Sequence, residues 1–381
     1  MKTRLTILFA VSLFIFADSA MQAQFAFGMQ NFVAKDDAYA KVSIPAATWA
    51  EIVKSGKEGL TEKDACLLPT AGGTLTGYQA DFDGDGKEEM WVLYSNTATD
   101  PACNVIATLV PAGGGKFQLL DVLTLEPGTA LIRPIVTLDE GIQLYGQNTY
   151  TLPDGVVETK GMILGMKQGL TVILISWTMK NGMVDGKKTV QLVSAAFSDI
   201  NYDNRKELFL DFRTHLAAGK LTDKNMLDRY VITLDFLPNH LRYGVYDSSG
   251  FDKVKEADAL AKSGERLMAR ETTRDEGITK ARNAIRINPF LTKTRVNLGK
   301  FLLNLGKYSD AEKTLLVATE FERDYAKAHK LLGDTYVRLN DLQKALDCYT
   351  TFLELVPKNS NTLDVRQAKI NIRQITVWRK K

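Results

Sequence analysis

The feature that most constrains the fold of this chain is a period of 34 residues near its C-terminus. Leu298-Gly299 recurs as Leu332-Gly333, and Ala311 recurs as Ala345. Beyond residue 250, glycine and proline become rare and Ala, Leu, Lys and Glu dominate. Because small residues at a fixed period let two helices approach closely, the pattern predicts stacked helical hairpins.

Three contiguous copies fit this period, and they resemble the tetratricopeptide repeat (TPR) family. The copies are residues 258–291, 292–325 and 326–359, and an amphipathic stretch at 362–378 would cap the stack. The first copy departs from the family pattern at Glu265, where a small residue is usual. The resemblance implies an all-α solenoid whose groove, formed by the first helix of each repeat, binds a protein or peptide.

Seven residues would line this groove by their position in the family pattern. Their mostly basic character favours an acidic peptide segment or a carboxylate as the partner. A solvated surface of lysines is the alternative, and the spacing does not reproduce the family's clamp for a terminal carboxylate. The residues are Lys293, Val296, Lys300, Asn304, Lys327, Lys330 and Arg338.

A nine-residue acidic motif occurs twice, at residues 81–89 and 199–207, and each copy leads into a strand-like apolar stretch. In such a loop, side chains at positions one, three and five converge on one point. A carbonyl at position seven and a carboxylate at position nine complete the set. The candidate ligands are Asp81, Asp83, Asp85, the carbonyl of Lys87 and Glu89, then Asp199, Asn201, Asp203, the carbonyl of Arg205 and Glu207.

Oxygen ligands in this number suit calcium, and Gly86 and Asn204 tolerate the sharp turn that position six requires. An EF-hand does not fit, because Val92 and Leu210 occupy position twelve, where that motif needs a bidentate glutamate. An acidic turn without metal is the alternative to a calcium site.

The two loops resemble those of FG-GAP/VCBS repeats, the integrin-like family, over about residues 76–127 and 189–247. In that family such a loop joins two strands, so the resemblance implies calcium held as a structural ion.

Residues 24–250 contain strand patterns separated by Gly, Asn, Asp and Pro. The acidic motifs occupy equivalent places, and their offset of 118 residues equals two units of 59, with room for a degenerate unit between them. We therefore predict a multidomain chain. Its all-β domain is a duplicated antiparallel meander, built like propeller blades or as a sandwich, and the all-α TPR domain follows at 251–381.

The first residues predict the compartment. Lys2 and Arg4 precede an apolar run from Leu5 to Ala17, and small residues follow, as is typical of a signal peptide over residues 1–23. The run is too short to span a bilayer comfortably, and we expect no membrane span in the mature chain. We expect an exported protein, either periplasmic or extracellular.

The three cysteines have different expected states. Cys66 and Cys103 lie in the same predicted domain and could pair in an oxidising compartment. Cys348 would remain as a buried, small apolar residue of a helix.

The net charge of +3 conceals a split between the two halves. Residues 252–381 carry 26 Lys+Arg against 17 Asp+Glu, a net charge of +9, which leaves −6 for the remainder. The acidic part fits cation binding and the basic part fits acidic partners, but neither is extreme enough to indicate nucleic acid.

Motifs for catalysis are missing from the sequence: it has no nucleophile elbow, zinc-binding His-Glu-x-x-His, Walker loop or dinucleotide fingerprint. The three histidines, His215, His240 and His329, lie in different predicted elements and suggest no nucleophile with a base. We predict a non-catalytic interaction or scaffold protein. The alternative is a carbohydrate-active or other hydrolytic enzyme with its site in the β domain, which would need two carboxylates across a cleft.

Overall fold

The chain divides into two compact units, each built from three segments of the chain. The first comprises Met1–Ala195, Phe212–Asp228 and Leu234–Tyr246, and the second comprises Ala196–Asp211, Arg229–Thr233 and Asp247–Lys381. The second unit thus contains strand segments as well as the helical run. The structure, a computed structural model, describes residues 39–54, 56, 74–96, 103–136, 142–167, 169–184, 186–200, 206–217, 221, 223–237 and 242–378.

The first sheet has five strands in the order β1-β2-β3-β4-β5, and each strand pairs antiparallel with its neighbour in sequence. Most of β3 is buried, in keeping with the continuous apolar run from Met90 to Tyr94. The antiparallel meander is therefore confirmed for this part of the chain. The strands are β1 (Ala40–Val42), β2 (Thr74–Ala80), β3 (Glu89–Asn96), β4 (Cys103–Gly113) and β5 (Lys116–Leu125).

The second sheet has eight strands, again in sequence order, from β6 to β13. A propeller blade would be a separate four-stranded sheet, whereas these eight strands lie side by side in one sheet. The strands are β6 (Thr129–Val136), β7 (Ile142–Thr151), β8 (Val157–Lys167), β9 (Leu170–Val184), β10 (Lys187–Ser198), β11 (Glu207–Leu216), β12 (Met226–Leu237) and β13 (Arg242–Ser249).

The two acidic motifs occupy the same place in their strands. β2 ends at Ala80 and β3 begins at Glu89, while β10 ends at Ser198 and β11 begins at Glu207. Two further strands follow each motif, and the four strands β6–β9 lie between the two groups. The 118-residue offset of the motifs leaves room for an intervening unit, and the four strands β6–β9 occupy that part of the chain.

The core of the first unit lies on both faces of the first sheet. Trp49 of helix α1 (Ala46–Lys54) is buried with Tyr94 on one face. On the other face, Trp91 shares a core cluster with Leu144 and Leu164 of the second sheet. Each large apolar side chain buried in this way contributes about 1.5–3 kcal/mol of transfer free energy, so the two sheets stabilise one another.

The second unit contains seven helices of ten residues or more among its described residues. Helices α4 and α6 begin 34 residues apart, and so do α3, α5 and α7, which confirms the predicted helical hairpins. Within the described residues, none of the helices combines the length and the apolarity that crossing a membrane requires. The helices are α2 (Phe251–Met268), α3 (Arg274–Ile287), α4 (Thr292–Asn304), α5 (Tyr308–Phe321), α6 (Ala326–Arg338), α7 (Leu342–Leu355) and α8 (Leu363–Trp378).

Glycine is required where the paired helices touch. A Cβ added to Gly333 would lie 2.7 Å from the Tyr349 ring, which leaves no room for a side chain. In the first repeat this close approach is made one position earlier, by Gly264, where a Cβ would lie 2.9 Å from the Gly277 carbonyl oxygen. This shift explains why Glu265 can stand where the family pattern has a small residue.

The cysteines are described in part. Cys103 is disulfide-bonded and Cys348 is free. The expected partner Cys66 and the predicted signal peptide at residues 1–23 lie outside the described residues.

Candidate metal centre and repeat groove

The first acidic loop is folded by hydrogen bonds from its own backbone. The amides of Gly84 and Gly86 donate to the two carboxylate oxygens of Asp81, at 2.8 and 3.0 Å. Both glycines have positive φ angles, 75° and 84°, so the turn uses the left-handed backbone that glycine permits. The amide of Asp85 donates to Asp83 at 3.2 Å. The loop is thus a compact turn with carboxylates as its internal acceptors.

Three of the predicted ligands lie together. Asp81, Asp83 and Glu89 each offer an oxygen, and these atoms lie within 4.8 Å of one another. Calcium–oxygen distances are about 2.3–2.6 Å, so oxygens on opposite sides of one ion lie roughly 5 Å apart. The cluster therefore fits a calcium ion. Asp85 does not join it, because its carboxylate accepts from the Lys87 ammonium at 2.8 Å and from the Lys87 amide at 2.8 Å.

Glu89 is the buried member of the cluster, with 3% of its surface exposed. Burial raises the pKa of its carboxyl group, and the negative charges of Asp83 and Asp85 raise it further. The hydrogen bond from the Phe82 amide, 3.0 Å long, lowers this pKa but does not reverse the shift. A cation beside these oxygens would favour the ionised form.

The second loop is described only at its ends. The amide of Ile200 donates to the Glu207 carboxylate at 3.1 Å, which reproduces the bond from Phe82 to Glu89 between positions two and nine. Glu207 is also 3% exposed. The two loops therefore begin and end in the same way. The predicted ligands Asn201, Asp203 and Arg205 lie outside the described residues, whereas Asp199 lies within them.

A helix of the second unit holds both ends of the second loop. The Glu320 carboxylate accepts from the Ser198 hydroxyl and from the Lys206 ammonium, both at 2.7 Å. Next to this ion pair, the ring of Phe209 lies 5.1 Å from that of Phe321. Sequence reasoning missed these contacts, because they join residues more than a hundred positions apart and no local pattern signals them.

A contact from the second sheet reaches the first loop and was also missed. The Gly169 amide, in the turn between β8 and β9, donates to Asp83 at 3.3 Å. A Cβ on Gly169 would lie 2.5 Å from Leu120, so this turn approaches the first sheet closely. Asp83 is thereby held by two backbone amides.

The repeat groove contains a cavity of about 290 Å³ between α2 and α4. Two predicted groove residues, Lys300 and Asn304, line it. Met268 and Phe301 supply apolar walls, and the side-chain amide of Asn297 donates to Glu265 at 2.8 Å. In the sequence, Glu265 stood out because it departs from the repeat pattern. In the structure, this residue lies in the wall of the cavity.

The other predicted groove residues differ in their surroundings. Lys293, Lys327 and Arg338 are exposed. Val296 is fully buried in the helical core and offers no surface to a partner. Lys330 is paired with Asp334 at 2.6 Å, and its side chain is only 15% exposed.

The Lys330 pair belongs to a larger polar network. The second oxygen of Asp334 accepts from the Tyr349 hydroxyl at 2.9 Å, and Asn371 of α8 donates to that hydroxyl at 2.8 Å. The network connects α6, α7 and α8, so Lys330 is a structural residue.

Comparison with known proteins agrees with the helical architecture. Residues 326–359, which contain α6 and α7, match the family model described as Tetratricopeptide repeat. The Anaphase-promoting complex subunit 3 of Dictyostelium discoideum is 38% identical over 86 residues, which is 23% of this chain and 9% of that protein. The C-terminal part of the chain therefore carries tetratricopeptide repeats, although the chain spans only about a tenth of that relative.

Solved repeat domains resemble about a third of the chain. The first TPR of Spaghetti (RPAP3), bound to an HSP90 peptide, is 23% identical and covers 34% of this chain and 96% of its own, with a TM-score of 0.30. The Sgt2 TPR domain from Aspergillus fumigatus is 22% identical and covers 33% of this chain and 83% of its own, also with a TM-score of 0.30.

Proposed function

We propose that this is an exported, non-catalytic interaction or scaffold protein whose repeats bind a protein or an acidic peptide. The observation that carries the proposal is the cavity between α2 and α4, since stacked helical repeats present their concave surface to partners. The N-terminal pattern at residues 1–23 supports export. If this segment is a signal peptide, mass spectrometry of the mature protein will show a chain that lacks it.

The lining of the cavity suits a carboxylate next to an apolar side chain. Met268 and Phe301 can bury an aliphatic group, while Lys300 and Asn304 supply donors at the same opening. Among the described residues, Glu265 supplies the one carboxylate that lines the cavity, and it already accepts from Asn297. Lys300 and Asn304 are exposed, so solvent screens the charge of the ammonium, and the apolar wall adds contact area for the side chain next to the carboxylate.

The test compares two charge reversals in the full-length protein. The probe is a fluorescent peptide in which aspartate alternates with leucine, and its control carries asparagine in place of aspartate. We expect Lys300→Glu to weaken binding of the acidic peptide about tenfold. Lys358→Glu, an equal charge change on an exposed residue outside the cavity, should leave it nearly unchanged. Equal effects of the two variants, or equal binding of the two peptides, would overturn the proposal.

We also propose calcium as a structural ion in the first loop and, by the shared spacing, in the second. The clustered oxygens of Asp81, Asp83 and Glu89 support the first site. The matching end geometry at Ile200 and Glu207 supports the second. The assignment of the β region to FG-GAP/VCBS-like repeats is part of this proposal.

Calorimetric titration of the first loop provides the test. Asp81→Asn should remove one calcium-binding event from the titration. It should also abolish the increase in melting temperature that this calcium ion causes. Glu88→Gln removes a charge from the same loop but not from the cluster, so its calcium binding should resemble that of the wild type. No calcium heat in the wild type, together with no effect of chelator on its melting temperature, would refute the site.

A further inference from the structure

The outer face of helix α8 carries an apolar stripe that nothing among the described residues covers. Leu363, Ile370 and Val377 are 71%, 46% and 56% exposed. They are spaced seven residues apart, close to two helical turns, so they lie along one face. The opposite face, with Val365, buries the helix against the repeat stack.

An apolar stripe on the outer face of a repeat helix is left in water unless another surface covers it. One apolar residue in every seven supplies one of the two seam positions of a two-helix contact, and aligned exposed apolar side chains of this kind can mark an interaction site. The stripe extends over about 21 Å, which corresponds to about four turns of a partner helix.

The charges beside the stripe identify the kind of partner. At about 100° per residue, Arg366, Lys369 and Arg373 lie along one side of it, and all three are exposed. Gln367 and Gln374 lie along the other side. One edge of the stripe is therefore cationic and the other is neutral.

We infer that the stripe binds an amphipathic helix of another protein, with an apolar seam and acidic residues along one edge. A second copy of this chain is a poor match, because the only carboxylate of α8, that of Asp364, lies away from the stripe. Neither orientation of a pair of α8 helices would bring a carboxylate of α8 to the cationic edge. This surface is separate from the α2–α4 cavity, and the inference does not depend on the proposed function.

The test uses the full-length protein and a synthetic amphipathic peptide of about 20 residues, since shorter isolated helices are marginal in water. The peptide carries leucine at every seventh position and glutamate along one edge, and its control has lysine in place of glutamate. We expect the glutamate peptide to bind more tightly than the lysine peptide by at least about tenfold, measured by fluorescence anisotropy.

Three variants test the surface itself. Ile370→Gln should weaken binding of the glutamate peptide about tenfold, because it interrupts the stripe. Arg373→Glu should reduce the preference for the glutamate peptide severalfold, because the edge keeps only Arg366 and Lys369 as cations and gains a carboxylate. Leu316→Gln changes an apolar residue of similar exposure, 38%, on α5, and it should bind like the wild type.

Four outcomes would overturn the inference. Equal binding of the two peptides, or binding unaffected by Ile370→Gln, would remove the acidic helix as the occupant. Self-association of the wild type that Ile370→Gln abolishes, measured by sedimentation, would assign the stripe to a second copy. Binding to phosphatidylglycerol vesicles in place of either peptide would assign it to a membrane surface.

Discussion

Gly277 lies where the two helices of the first repeat approach most closely. A Cβ at this position would lie 2.5 Å from the Met268 nitrogen and 2.9 Å from the Gly264 oxygen. Alanine is the better helix former by about 1 kcal/mol, but overpacking costs about 1–3 kcal/mol, and backbone atoms cannot rotate away. Because the clash is with backbone atoms, we expect the overpacking cost to lie in the upper part of this range, so that Gly277→Ala lowers the free energy of unfolding by up to about 2 kcal/mol in a denaturant titration.

The matched control is Gly250→Ala. Nothing lies within 4 Å of a Cβ added there, and the residue has a φ of −75°, which alanine adopts easily. Gly250 is the N-cap of α2, where alanine is less favourable than glycine, but alanine also lowers the entropy of the unfolded chain. The two effects oppose each other, so the free energy of unfolding should stay within about 0.5 kcal/mol of the wild type. If Gly277→Ala were as stable as this control, close packing would not be the reason for the glycine.

The thiol of Cys348 provides a second test at this scale. Burial raises its pKa to about 12, and the nearby carboxylates of Asp347 and Asp341 act in the same direction. At pH 8 the thiolate fraction is then roughly a thousandfold below that of an ordinary cysteine. Alkylation of the native protein should be slow and should accelerate on unfolding. Rapid alkylation in the native state would contradict the assigned environment.

Single residues also show where sequence reasoning reached its limit. The pattern placed Lys300 and Asn304 in the groove correctly, because repeat position fixes the face of a helix. It placed Val296 there too, but this residue shares a core cluster with Ala328 and Leu331 of the following repeat. Burial by a neighbouring repeat depends on how the repeats stack, which a helix-by-helix pattern does not contain.

At the scale of helices, Lys330 tests whether the basic residues of α6 serve the groove or the fold. The Lys330 ammonium lies 2.6 Å from the Asp334 carboxylate and 3.7 Å from the Asp364 carboxylate. Lys330→Glu would replace it with a third carboxylate. We expect a loss of about 1–3 kcal/mol in the free energy of unfolding, because the site is largely buried and Asp334 loses its partner. The loss is measured by chemical denaturation monitored through helix content.

Lys327→Glu is the control for this reversal. It lies on the same helix and is exposed, so its effect should remain within about 0.5 kcal/mol. A stability loss of the same size in both variants would mean that total charge, rather than the network through Asp334, sets the outcome.

Strands and loops were predictable to different extents. The acidic motifs indicated where β3 and β11 begin, because the carboxylate at position nine of each motif is also the first residue of a strand. The pairing of Asp85 with Lys87 was not foreseen. A lysine two residues away can neutralise a carboxylate as well as a metal ion can. The sequence does not show which of these two partners Asp85 has.

At the scale of the whole molecule, the helical unit should depend on strands that precede it in sequence. Phe321 lies against Phe209, and Glu320 pairs with Lys206. A fragment beginning at residue 251 lacks these partners and would expose the Phe321 ring. We therefore expect it to melt at a lower temperature than a fragment of residues 196–381, as measured by circular dichroism.

The longer fragment is the matched control, because it contains all the chain segments of the second unit. If both fragments melted at the same temperature, the strand segments would contribute nothing to the stability of the helices. The predicted boundary at residue 250 followed the change of periodicity from strand to helix. Periodicity describes local structure and cannot report which segments share a core.

The sequence-ordered meander has a consequence for how the chain is made. A hairpin forms within about 1–10 μs, whereas synthesis adds about 5–20 residues per second. A strand such as β10, with 12 residues, thus needs on the order of a second to emerge. Because each strand pairs with the one made just before it, its partner is already present when it appears. Both sheets can therefore form in the order in which their strands emerge, whether from the ribosome or on the far side of a membrane.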